Sequence, residues 1–329
     1  MRDAKIIGTG IYVPEKVLTN ADLSRNLGVD IDEFVKNIVG IRERHIAAED
    51  ESTADLATNA ALAAIADAGI EASDIDLILL ATDTPEYLSP ATSVVVQTRI
   101  RAANAGTFDI NCACAGFVTT LDAAFKYIIA DSSYRNVLVI GCYAMSKYID
   151  WKDKKTSTLF ADGAGAMILR AVDDESHFLA SKLVADGSYH DYMGIFAGGT
   201  KEPITQTVLD GNNYNRLRFV KKYPPEVNID GWPKIVDEVL AKSDMKRGDV
   251  DLYLWTQVNI STIKLVMAEM GIPYEKTHTI MDKWGYTGSA CIPMVFHDAL
   301  EAGKIKRGDA IVLCASGGGL NMACLAMRY

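Results

Sequence analysis

The sequence has 329 residues, 49% hydrophobic and 23% charged, an ordinary globular composition that allows one large domain or two of usual size. Its 33 basic and 43 acidic residues give a net charge of −10, which argues against a nucleic-acid partner, since such a partner needs a basic surface. There is no run of about 18 apolar residues that would predict a membrane span, and no signal-peptide-like stretch precedes the first apolar run.

The first half of the chain alternates predicted strands and helices. An apolar run at residues 4–8 predicts a strand, and the capping-box pattern that begins at Ser52 predicts a helix up to Gly69. A buried strand is predicted over residues 77–81. An extended run around Phe108 turns into a helix predicted over 117–129, and the next strand is predicted over 137–141.

The second half repeats this order, with a helix at 233–240, a strand at 252–255, a helix that begins at Ser289 and a strand at 310–313. Asp251 follows Asp76 by 175 residues, and Ala310 follows Val137 by 173. We therefore expect a tandem duplication of an α/β unit, with mostly parallel sheets between helices and halves at 1–172 and 173–329. The residue 175 positions after Cys114 is Ser289, so these two helix starts are expected to face one another.

Cys114 is the candidate nucleophile. It lies in Ala113-Cys114-Ala115-Gly116-Phe117, shortly after Asp109, where the extended run meets the helix. A helix N-terminus carries partial positive charge, which favours the thiolate, the reactive form of cysteine. The alternative is a small buried cysteine that fills a tight turn, and the residues alone leave both interpretations open.

The remaining cysteines and the histidines give no second site. The six cysteines are scattered, without a Cys-x-x-Cys pair, which fits a reduced cytosolic protein, and the spacing of Cys112 and Cys114 predicts no metal site. For each histidine a surface or hydrogen-bonded core role is expected, and His190 is the first candidate for an approach to a substrate tunnel. The five histidines are His45, His177, His190, His278 (expected on a strand) and His297.

Several segments together resemble the β-ketoacyl-[acyl-carrier-protein] synthase III enzymes of the thiolase superfamily. They are residues 7–14, 40–44, 85–87, 113–117, 159–166, 285–290 and 317–319. The resemblance implies an α/β thiolase fold, a duplicated five-layered α-β-α-β-α arrangement. It also implies a cytoplasmic homodimer that needs no cofactor and takes acyl-CoA or acyl carrier protein thioesters, alone or in a larger biosynthetic complex.

Carried over residue by residue, the resemblance assigns the acyl-accepting thiol to Cys114. It assigns an oxyanion hole to the backbone N–H groups of Cys114 and Gly318, with Gly317 and Gly319 beside the substrate. Asn259 keeps the family's residue near the substrate, and Ser89 is small where a bulky gate is common in the family.

The chain departs from the family at two positions whose side chains drive carbon–carbon bond formation in the resembling enzymes. The catalytic histidine position holds Thr256, and the catalytic asparagine position holds Tyr286. Neither side chain is a good base near pH 7, since the ordinary pKa of tyrosine is about 10. In the substrate region, Ser261 and Ile38 replace basic residues, and Phe34 replaces a tryptophan.

These features predict an acyltransferase that forms an acyl-enzyme on Cys114 and passes the acyl group to an acceptor, with or without a non-standard condensation. Fatty acid or polyketide biosynthesis is the expected setting, and a specialised metabolite route fits the altered residues better. The alternative is a catalytically degenerate subunit that supports an active thiolase-like partner. The polar connection at 218–232 is expected to be a lid or a plain surface loop.

Overall fold

The computed structural model of the protein describes residues 2–173, 177–211 and 215–329. The strands are β1 (Asp3–Tyr12), β2 (Lys16–Thr19), β3 (Glu43–Ile46), β4 (Leu77–Ala81), β5 (Gly106–Ile110), β6 (Asn136–Ala144), β7 (Asp162–Val172), β8 (Phe178–Ala185), β9 (Met193–Gly194), β10 (Arg218–Phe219), β11 (Leu252–Trp255), β12 (Ala310–Gly317) and β13 (Asn321–Arg328). The helices are α1 (Asn20–Leu27), α2 (Asp32–Phe34), α3 (Thr53–Ala68), α4 (Thr92–Ile100), α5 (Gly116–Ala130), α6 (Lys154–Ser157), α7 (Gln206–Asp210), α8 (Glu226–Ile229), α9 (Gly231–Lys242), α10 (Ile260–Glu269), α11 (Met281–Trp284) and α12 (Cys291–Glu301).

Two sheets form the frame of the molecule. The first has the strand order β1-β7-β6-β4-β5, and the second has the order β11-β12-β13-β8. Pairing is parallel for β4 with β5 and β6 and for β11 with β12, and the remaining pairs of both sheets are antiparallel. The expectation of mostly parallel sheets is therefore wrong. Short connections such as the one from β12 to β13 leave no room for a crossover helix and force antiparallel pairing.

The helices form three layers around these sheets. Helices α3 and α4 cover the outer face of the first sheet, α5 and α12 lie between the two sheets, and α9 covers the outer face of the second sheet, with α10 beside it. This is the predicted five-layered α-β-α-β-α arrangement. The segment Ala113–Ala130 is long and apolar enough to cross a bilayer by length and composition alone. However, it lies between the sheets and is 61% buried, as expected for the core helix of a globular protein.

The duplication predicted from the sequence is visible in the element order. Strand β4 and strand β11 begin 175 residues apart, and so do helices α5 and α12. A short 3-10 turn precedes each of these helices, at Ala113–Ala115 and at Gly288–Ala290. The two turns meet, because a Cβ atom on Gly116 would lie 3.8 Å from the Cβ atom of Ser289. The expected juxtaposition of the two helix starts is thus present.

Strand β1 and helix α3 pack too closely for side chains between them. A Cβ atom on Gly8 would lie 2.5 Å from the backbone nitrogen of Ala68, and one on Gly10 would lie 2.3 Å from that of Ala64. Both distances are far below van der Waals contact. Small residues on both elements therefore let the helix rest directly on the sheet.

Candidate active site

The turn that carries Cys114 connects β5 to α5. Ala113 adopts a φ of 47°, and the Cys114 side chain is 4% exposed. Asp109, on β5, accepts hydrogen bonds from the backbone nitrogens of Thr92 at 2.6 Å and Ser93 at 2.8 Å. These contacts tie β5 to the start of α4, so Asp109 has a structural role in positioning the turn.

The thiol of Cys114 is not held as a thiolate by the helix start. Burial raises its pKa well above the usual range, and the nearby Asp83 carboxylate raises that pKa further. A hydrogen bond with the Tyr286 hydroxyl acts in the opposite direction and lowers the thiol pKa. The expectation that backbone dipoles ionise this cysteine is therefore wrong, because desolvation outweighs them. Near pH 7 the thiol is protonated, and its reaction requires a group that takes the proton.

Tyr286 is positioned by the loop between α11 and the second 3-10 turn. Its N–H donates to the Leu159 carbonyl at 3.1 Å, and its carbonyl accepts from Ala161 N at 2.9 Å. The ring packs on Phe160 with centroids 5.5 Å apart and is 3% exposed. Burial raises the pKa of Tyr286 well above its ordinary value, and the neighbouring Cys114 raises it further. The hydroxyl is therefore a hydrogen-bond donor at all physiological pH values.

Thr256 lies just beyond β11 and is 1% exposed. Its Oγ1 accepts a hydrogen bond from the Ser316 N–H at 2.9 Å, which leaves the hydroxyl proton to be donated. Asn259, three residues on, caps α10, since its Oδ1 accepts from Ser261 N at 2.8 Å and Thr262 N at 3.2 Å. This cap occupies the amide oxygen of Asn259, and its role toward substrate stays a prediction.

The glycine run 317–319, which begins at the last residue of β12, touches the nucleophile turn. A Cβ atom on Gly317 would lie 2.6 Å from Cys114 N and 2.6 Å from the Cys112 carbonyl oxygen, so only glycine fits. Gly318 is the next residue of the run. A Cβ atom on Gly318 would lie 3.6 Å from the Met193 side chain, an ordinary contact distance. Gly319 has a φ of +132°, a conformation that favours glycine.

Sequence reasoning missed three residues near the thiol, namely Asp83, Tyr143 and Tyr223. The Asp83 carboxylate and the Tyr143 hydroxyl both act electrostatically on the site, and Tyr143 is 1% exposed. Tyr223 belongs to the connection expected as a lid, and its buried hydroxyl, 3.8 Å from the position of a Cβ on Gly318, has no well-formed hydrogen bond. A signal existed for Asp83, because it follows a buried strand at the carboxyl edge of the parallel strands.

None of the five histidines, all of which are described, is bonded at the Cys114 site. The ring of His190 is exposed and interacts with the Gly187 carbonyl at 3.1 Å, and His297 interacts with Thr9 Oγ1 at 2.8 Å. His278 lies in coil beside an isolated bridge at Thr277, not on the expected strand, and contacts Asp298 at 2.7 Å. The ring nitrogens of His45 and His177 contact backbone carbonyls. Within the described ranges, no group of three or more potential metal ligands is present.

A cavity of about 740 Å³ opens on the side of the Tyr286 loop. Phe34, 64% exposed, stands at its rim, and the lining includes the four lysines Lys154, Lys155, Lys221 and Lys222. Two further lining residues, Leu159 and Phe219, lead toward the thiol, because Phe160 packs between Phe219 and Tyr286 with centroids 6.4 and 5.5 Å away. The cavity lining is therefore mainly apolar, with four lysines against one acidic residue, Asp30, and Lys221 is itself paired with Asp191 at 2.6 Å.

Ser89 is placed differently from the other predicted site residues. It is exposed, and so are its neighbours Leu88, at 84%, and Tyr87, at 54%. Within this chain Ser89 does not line the cavity. The structure therefore brings together Cys114, Tyr286 and the glycine run, sets Phe34 at the cavity rim, and leaves Ser89 on the surface.

Comparison with known proteins identifies relatives along the whole chain. Residues 108–187 match the family model of 3-oxoacyl-[acyl-carrier-protein (ACP)] synthase III, and residues 240–329 match the model of its C-terminal part. The β-ketoacyl-[acyl-carrier-protein] synthase III of Aquifex aeolicus is 37% identical over 325 residues, 99% of each chain. The corresponding protein of Xanthomonas campestris is 36% identical over 99% of this chain and 98% of its own.

Comparison with solved structures gives the same family. The crystal structure of the Aquifex aeolicus 3-oxoacyl-[acyl-carrier-protein] synthase III superposes with a TM-score of 0.89 at 36% identity, over 99% of this chain and 100% of that one. The priming β-ketosynthase of the R1128 polyketide biosynthetic pathway gives a TM-score of 0.90 at 25% identity, over 99% of this chain and 96% of that one. The fold shared with the synthase III structures is the thiolase fold.

Proposed function

Because the chain belongs to the 3-oxoacyl-[acyl-carrier-protein] synthase III family, we propose that it is an acyltransferase that carries acyl groups on Cys114. The acyl group comes from an acyl-CoA or acyl-carrier thioester and passes to an acceptor. Fatty acid or polyketide biosynthesis is the setting, and the names of the relatives support this assignment. The proposal places the reaction in the cytoplasm.

One observation carries the proposal: the glycine run lies against the backbone of Cys114. We propose that this approach, 2.6 Å between a Cβ on Gly317 and Cys114 N, lets the amides of Gly318 and Cys114 act together as an oxyanion hole. Two adjacent N–H groups near a thiol are what a thioester oxyanion needs, and the loss of one such donor costs roughly 3–4 kcal/mol in comparable sites. A cysteine that merely filled a turn would have no use for this arrangement.

The lysine-rich cavity supports the proposal that the acyl donor is a thioester that bears phosphate groups. Coenzyme A and the phosphopantetheine group of a carrier protein each carry phosphate at one end of a long, narrow chain. Such a chain can pass along an apolar lining. In our proposal the phosphates meet Lys154, Lys155 and Lys222 at the mouth, and the arm runs past Phe34 and Phe219 toward Cys114. The chain as a whole is acidic, so this local basic patch is the part that suits an acidic carrier.

In our proposal the chain lacks the histidine and asparagine that the family resemblance implies for condensation. Thr256 and Tyr286 each offer one hydroxyl proton, and neither is cationic. Two neutral donors stabilise an enolate less well than a histidine and an asparagine do. We therefore propose acyl transfer as the main activity, with decarboxylative condensation slow or absent.

The site draws on both halves of the molecule. The first sheet is built from residues up to Val172, and the second from Phe178 onward. We propose the division at 1–172 and 173–329, which assigns Cys114 to the first half and Thr256, Tyr286 and Gly318 to the second. The exposed Tyr87 and Leu88 beside Ser89 are proposed to be covered by a second copy of the chain.

The second candidate function is that of a non-catalytic subunit of a thiolase-like pair. The high pKa and 4% exposure of Cys114 favour it, and so does the exposed segment at Tyr87 and Leu88. In that case the chain would hold the site's shape without turning over substrate, and the exposed segment would contact an active relative.

Intact-protein mass spectrometry after incubation with acetyl-CoA, octanoyl-CoA and malonyl-CoA separates the two candidates. We expect a thioester adduct that is labile to hydroxylamine and absent in Cys114→Ala. A Cys112→Ala variant is the matched control, since Cys112 lies two residues away and should not carry the acyl group. An unmodified wild-type protein with all three donors would reject the acyltransferase and leave the subunit function.

A further inference from the structure

The Tyr223 hydroxyl lies against the glycine run, beside one of the two residues proposed for the oxyanion hole. The three atoms nearest to a Cβ atom on Gly318 would be Met193 Cε at 3.6 Å, the Met193 carbonyl oxygen at 3.8 Å and Tyr223 Oη at 3.8 Å. This side of Gly318 therefore faces an apolar methyl group, a backbone acceptor and a hydroxyl. Of these three groups, only the hydroxyl can donate a hydrogen bond.

The Tyr223 hydroxyl is buried and has no well-formed hydrogen bond. Tyr253 is the matched comparison, because its ring is buried in the core and its hydroxyl donates to the Arg247 carbonyl at 2.8 Å. A tyrosine that serves packing alone usually pairs its hydroxyl in this way when it is buried. An unpaired buried hydroxyl costs free energy, so Tyr223 indicates a ligand that supplies the missing acceptor.

Neighbouring tyrosines hold the Tyr223 ring from one side. The backbone nitrogens of Val220 and Lys221 donate to the Tyr192 carbonyl at 2.8 and 3.1 Å. The Tyr223 ring packs on Tyr189, with centroids 5.6 Å apart, and on Tyr192, with centroids 5.3 Å apart. These contacts fix the direction of the ring before any ligand binds.

The chain after Tyr223 is tied to the strand that leads into the glycine run. Tyr223 precedes Pro224-Pro225, and a residue before proline is restricted to extended backbone conformations. Helix α8 follows, and its Asn228 Oδ1 accepts a hydrogen bond from Ser316 Oγ at 2.8 Å. Ser316 is the β12 residue directly before the glycine run. The hydroxyl is therefore positioned relative to Gly318 by the fold itself, as a preorganised donor must be.

The Tyr223 hydroxyl keeps its proton near neutral pH. Burial raises the pKa of Tyr223 above its ordinary value. The Gly319 backbone acts in the opposite direction and lowers the pKa, which is the effect of an N–H group directed at the phenol oxygen. The oxygen thus faces the glycine run, and the hydroxyl proton is left for donation.

We propose that Tyr223 is a catalytic hydrogen-bond donor, whose hydroxyl binds the thioester carbonyl oxygen of the acyl donor together with the amides of Cys114 and Gly318. This inference rests on the proposed function. It adds a third, neutral donor to an oxyanion hole that the family resemblance builds from two backbone amides.

The donor acts on the charge that forms during acylation. The Cys114 sulfur attacks the thioester carbonyl carbon, and an electron pair of the C=O bond moves onto the oxygen. Tyr223 stabilises this negative charge and keeps its own proton. The C=O bond re-forms as the bond to the CoA sulfur breaks, and the proton lost by Cys114 ends on the CoA thiol. The sum is RCO–S–CoA plus HS–Cys to RCO–S–Cys plus HS–CoA, with no redox change and no further reactant.

The test compares wild type, Tyr223→Phe and the control Tyr189→Phe, which removes a hydroxyl from the same tyrosine cluster. The first assay is the single-turnover rate of acyl-Cys114 formation at several concentrations of acetyl-CoA and of octanoyl-CoA, followed by intact mass. The second assay is the rate of Cys114 alkylation by iodoacetamide, a displacement at carbon in which no oxyanion forms.

We expect Tyr223→Phe to lower the acylation rate at saturating donor about 30-fold or more with both donors. The donor concentration at half saturation should stay within about twofold of wild type, because the hydrogen bond strengthens only as charge develops on the oxygen. Alkylation should be unchanged, and Tyr189→Phe should match wild type in both assays. A displaced nucleophile turn would instead slow acylation and alkylation together.

Thermal unfolding gives an independent check on the unpaired hydroxyl. Tyr223→Phe should be at least as stable as wild type, because it removes a buried polar group that has no partner. A clear loss of stability would mean that the hydroxyl is bonded within the protein, and the inference would fall.

Three results of the rate assays would also overturn the inference while the acyltransferase stands. They are acylation of Tyr223→Phe at the wild-type rate, an equal fall in acylation and alkylation, and a fall with octanoyl-CoA alone, which would place the hydroxyl on the acyl chain. If neither donor acylates the wild type although iodoacetamide modifies Cys114, the inference and the proposed function fail together.

Discussion

The Tyr286 hydroxyl and the Cys114 thiol are hydrogen-bond partners that come from opposite halves of the duplicated fold. Both side chains are almost completely shielded from water, at 3% and 4% exposure. A buried hydrogen bond of a phenol to sulfur stabilises the ionised sulfur, and so it opposes the desolvation that keeps this thiol protonated. Tyr286 thus acts on the nucleophile itself.

Tyr286→Phe should reduce the reactivity of Cys114 while leaving the fold intact. Loss of the hydroxyl raises the thiol pKa further, so we expect iodoacetamide alkylation at pH 8 to slow about fivefold or more. The measurement is the alkylation rate by intact mass between pH 7 and 10. Tyr274→Phe, remote from Cys114 in a surface 3-10 turn, serves as control and should alkylate like wild type. Equal rates in both variants would show that the Tyr286 hydroxyl does not act on the thiol.

Asp83→Asn should stabilise the protein above about pH 6. The folded pKa of Asp83 is raised from 3.8 to about 6 by burial, so the folded state binds the proton more tightly than the unfolded state. Stability therefore falls as pH rises from about 4 to 6, and it stays lower above that range. The neutral amide avoids this loss of about 1–3 kcal/mol.

Thermal unfolding at pH 4 and pH 7.5 checks the sign of this effect. The variant should unfold at a higher temperature than wild type at pH 7.5, and the difference should shrink toward pH 4. A variant that is less stable than wild type at pH 7.5 would mean that the carboxylate has stabilising partners.

Gly317→Ala and Gly318→Ala should differ sharply although the residues are adjacent. A Cβ on Gly317 would lie 2.6 Å from Cys114 N, whereas the nearest atom to a Cβ on Gly318 is 3.6 Å away. We expect Gly317→Ala to lose about 2–3 kcal/mol of stability and to displace the nucleophile turn. Gly318→Ala should keep wild-type stability. Urea unfolding curves measure the free energy of unfolding of both variants. Similar losses of stability in the two would indicate that the backbone around Gly317 can relax to admit a Cβ atom.

The lysines at the cavity mouth should matter only for donors that carry phosphate. The double variant Lys155→Glu/Lys222→Glu places negative charge where the proposed ligand has its own, so KM for acetyl-CoA should rise about tenfold at low salt. Acylation by the N-acetylcysteamine thioester, which has no phosphate, should be unchanged. Lys306→Glu, in an exposed basic cluster away from the cavity, is the control. Equal effects on both donors would place phosphate binding elsewhere.

Thr256→His together with Tyr286→Asn should raise carbon dioxide release from malonyl-CoA. The pair introduces the two donor types that the family resemblance implies at these positions. Thr256 is fully buried and bonded to the Ser316 N–H, so the larger imidazole also requires local adjustment. Release measured with carboxyl-labelled malonyl-CoA should exceed that of each single variant. An unchanged rate in a folded double variant would show that the pocket has diverged beyond these two positions.

Strands and helices whose limits depend on the local pattern of apolar and polar residues were predicted accurately from the sequence. The strands at Leu77–Ala81 and Leu252–Trp255 have the expected bounds, because uninterrupted apolar runs end at polar residues on both sides. The helix after Cys114 extends only one residue beyond its expected limits at each end. The repeat offset even predicted the contact between the two helix starts, since a duplicated topology brings equivalent turns together.

Features that depend on tertiary contact were not predictable in this way. The high pKa of Cys114 arises from burial and from Asp83, and neither follows from the N-terminal position of the thiol on its helix. Tyr223 reaches the glycine run from a connection without periodicity, so no pattern indicated its direction. His278, expected on a strand, lies in coil, and only Thr277 beside it forms a bridge.

The contact between the turns at Ala113–Ala115 and Gly288–Ala290 has a consequence for the behaviour of the whole molecule. Ser289, the counterpart of Cys114, donates its hydroxyl to the Cys142 carbonyl at 2.7 Å. One copy of the turn therefore bonds the two halves to each other, while the other copy carries the candidate nucleophile. Separation of the halves breaks this hydrogen bond. Unfolding should therefore be a single cooperative event, and a covalent adduct on the sulfur should slow amide hydrogen exchange in both sheets.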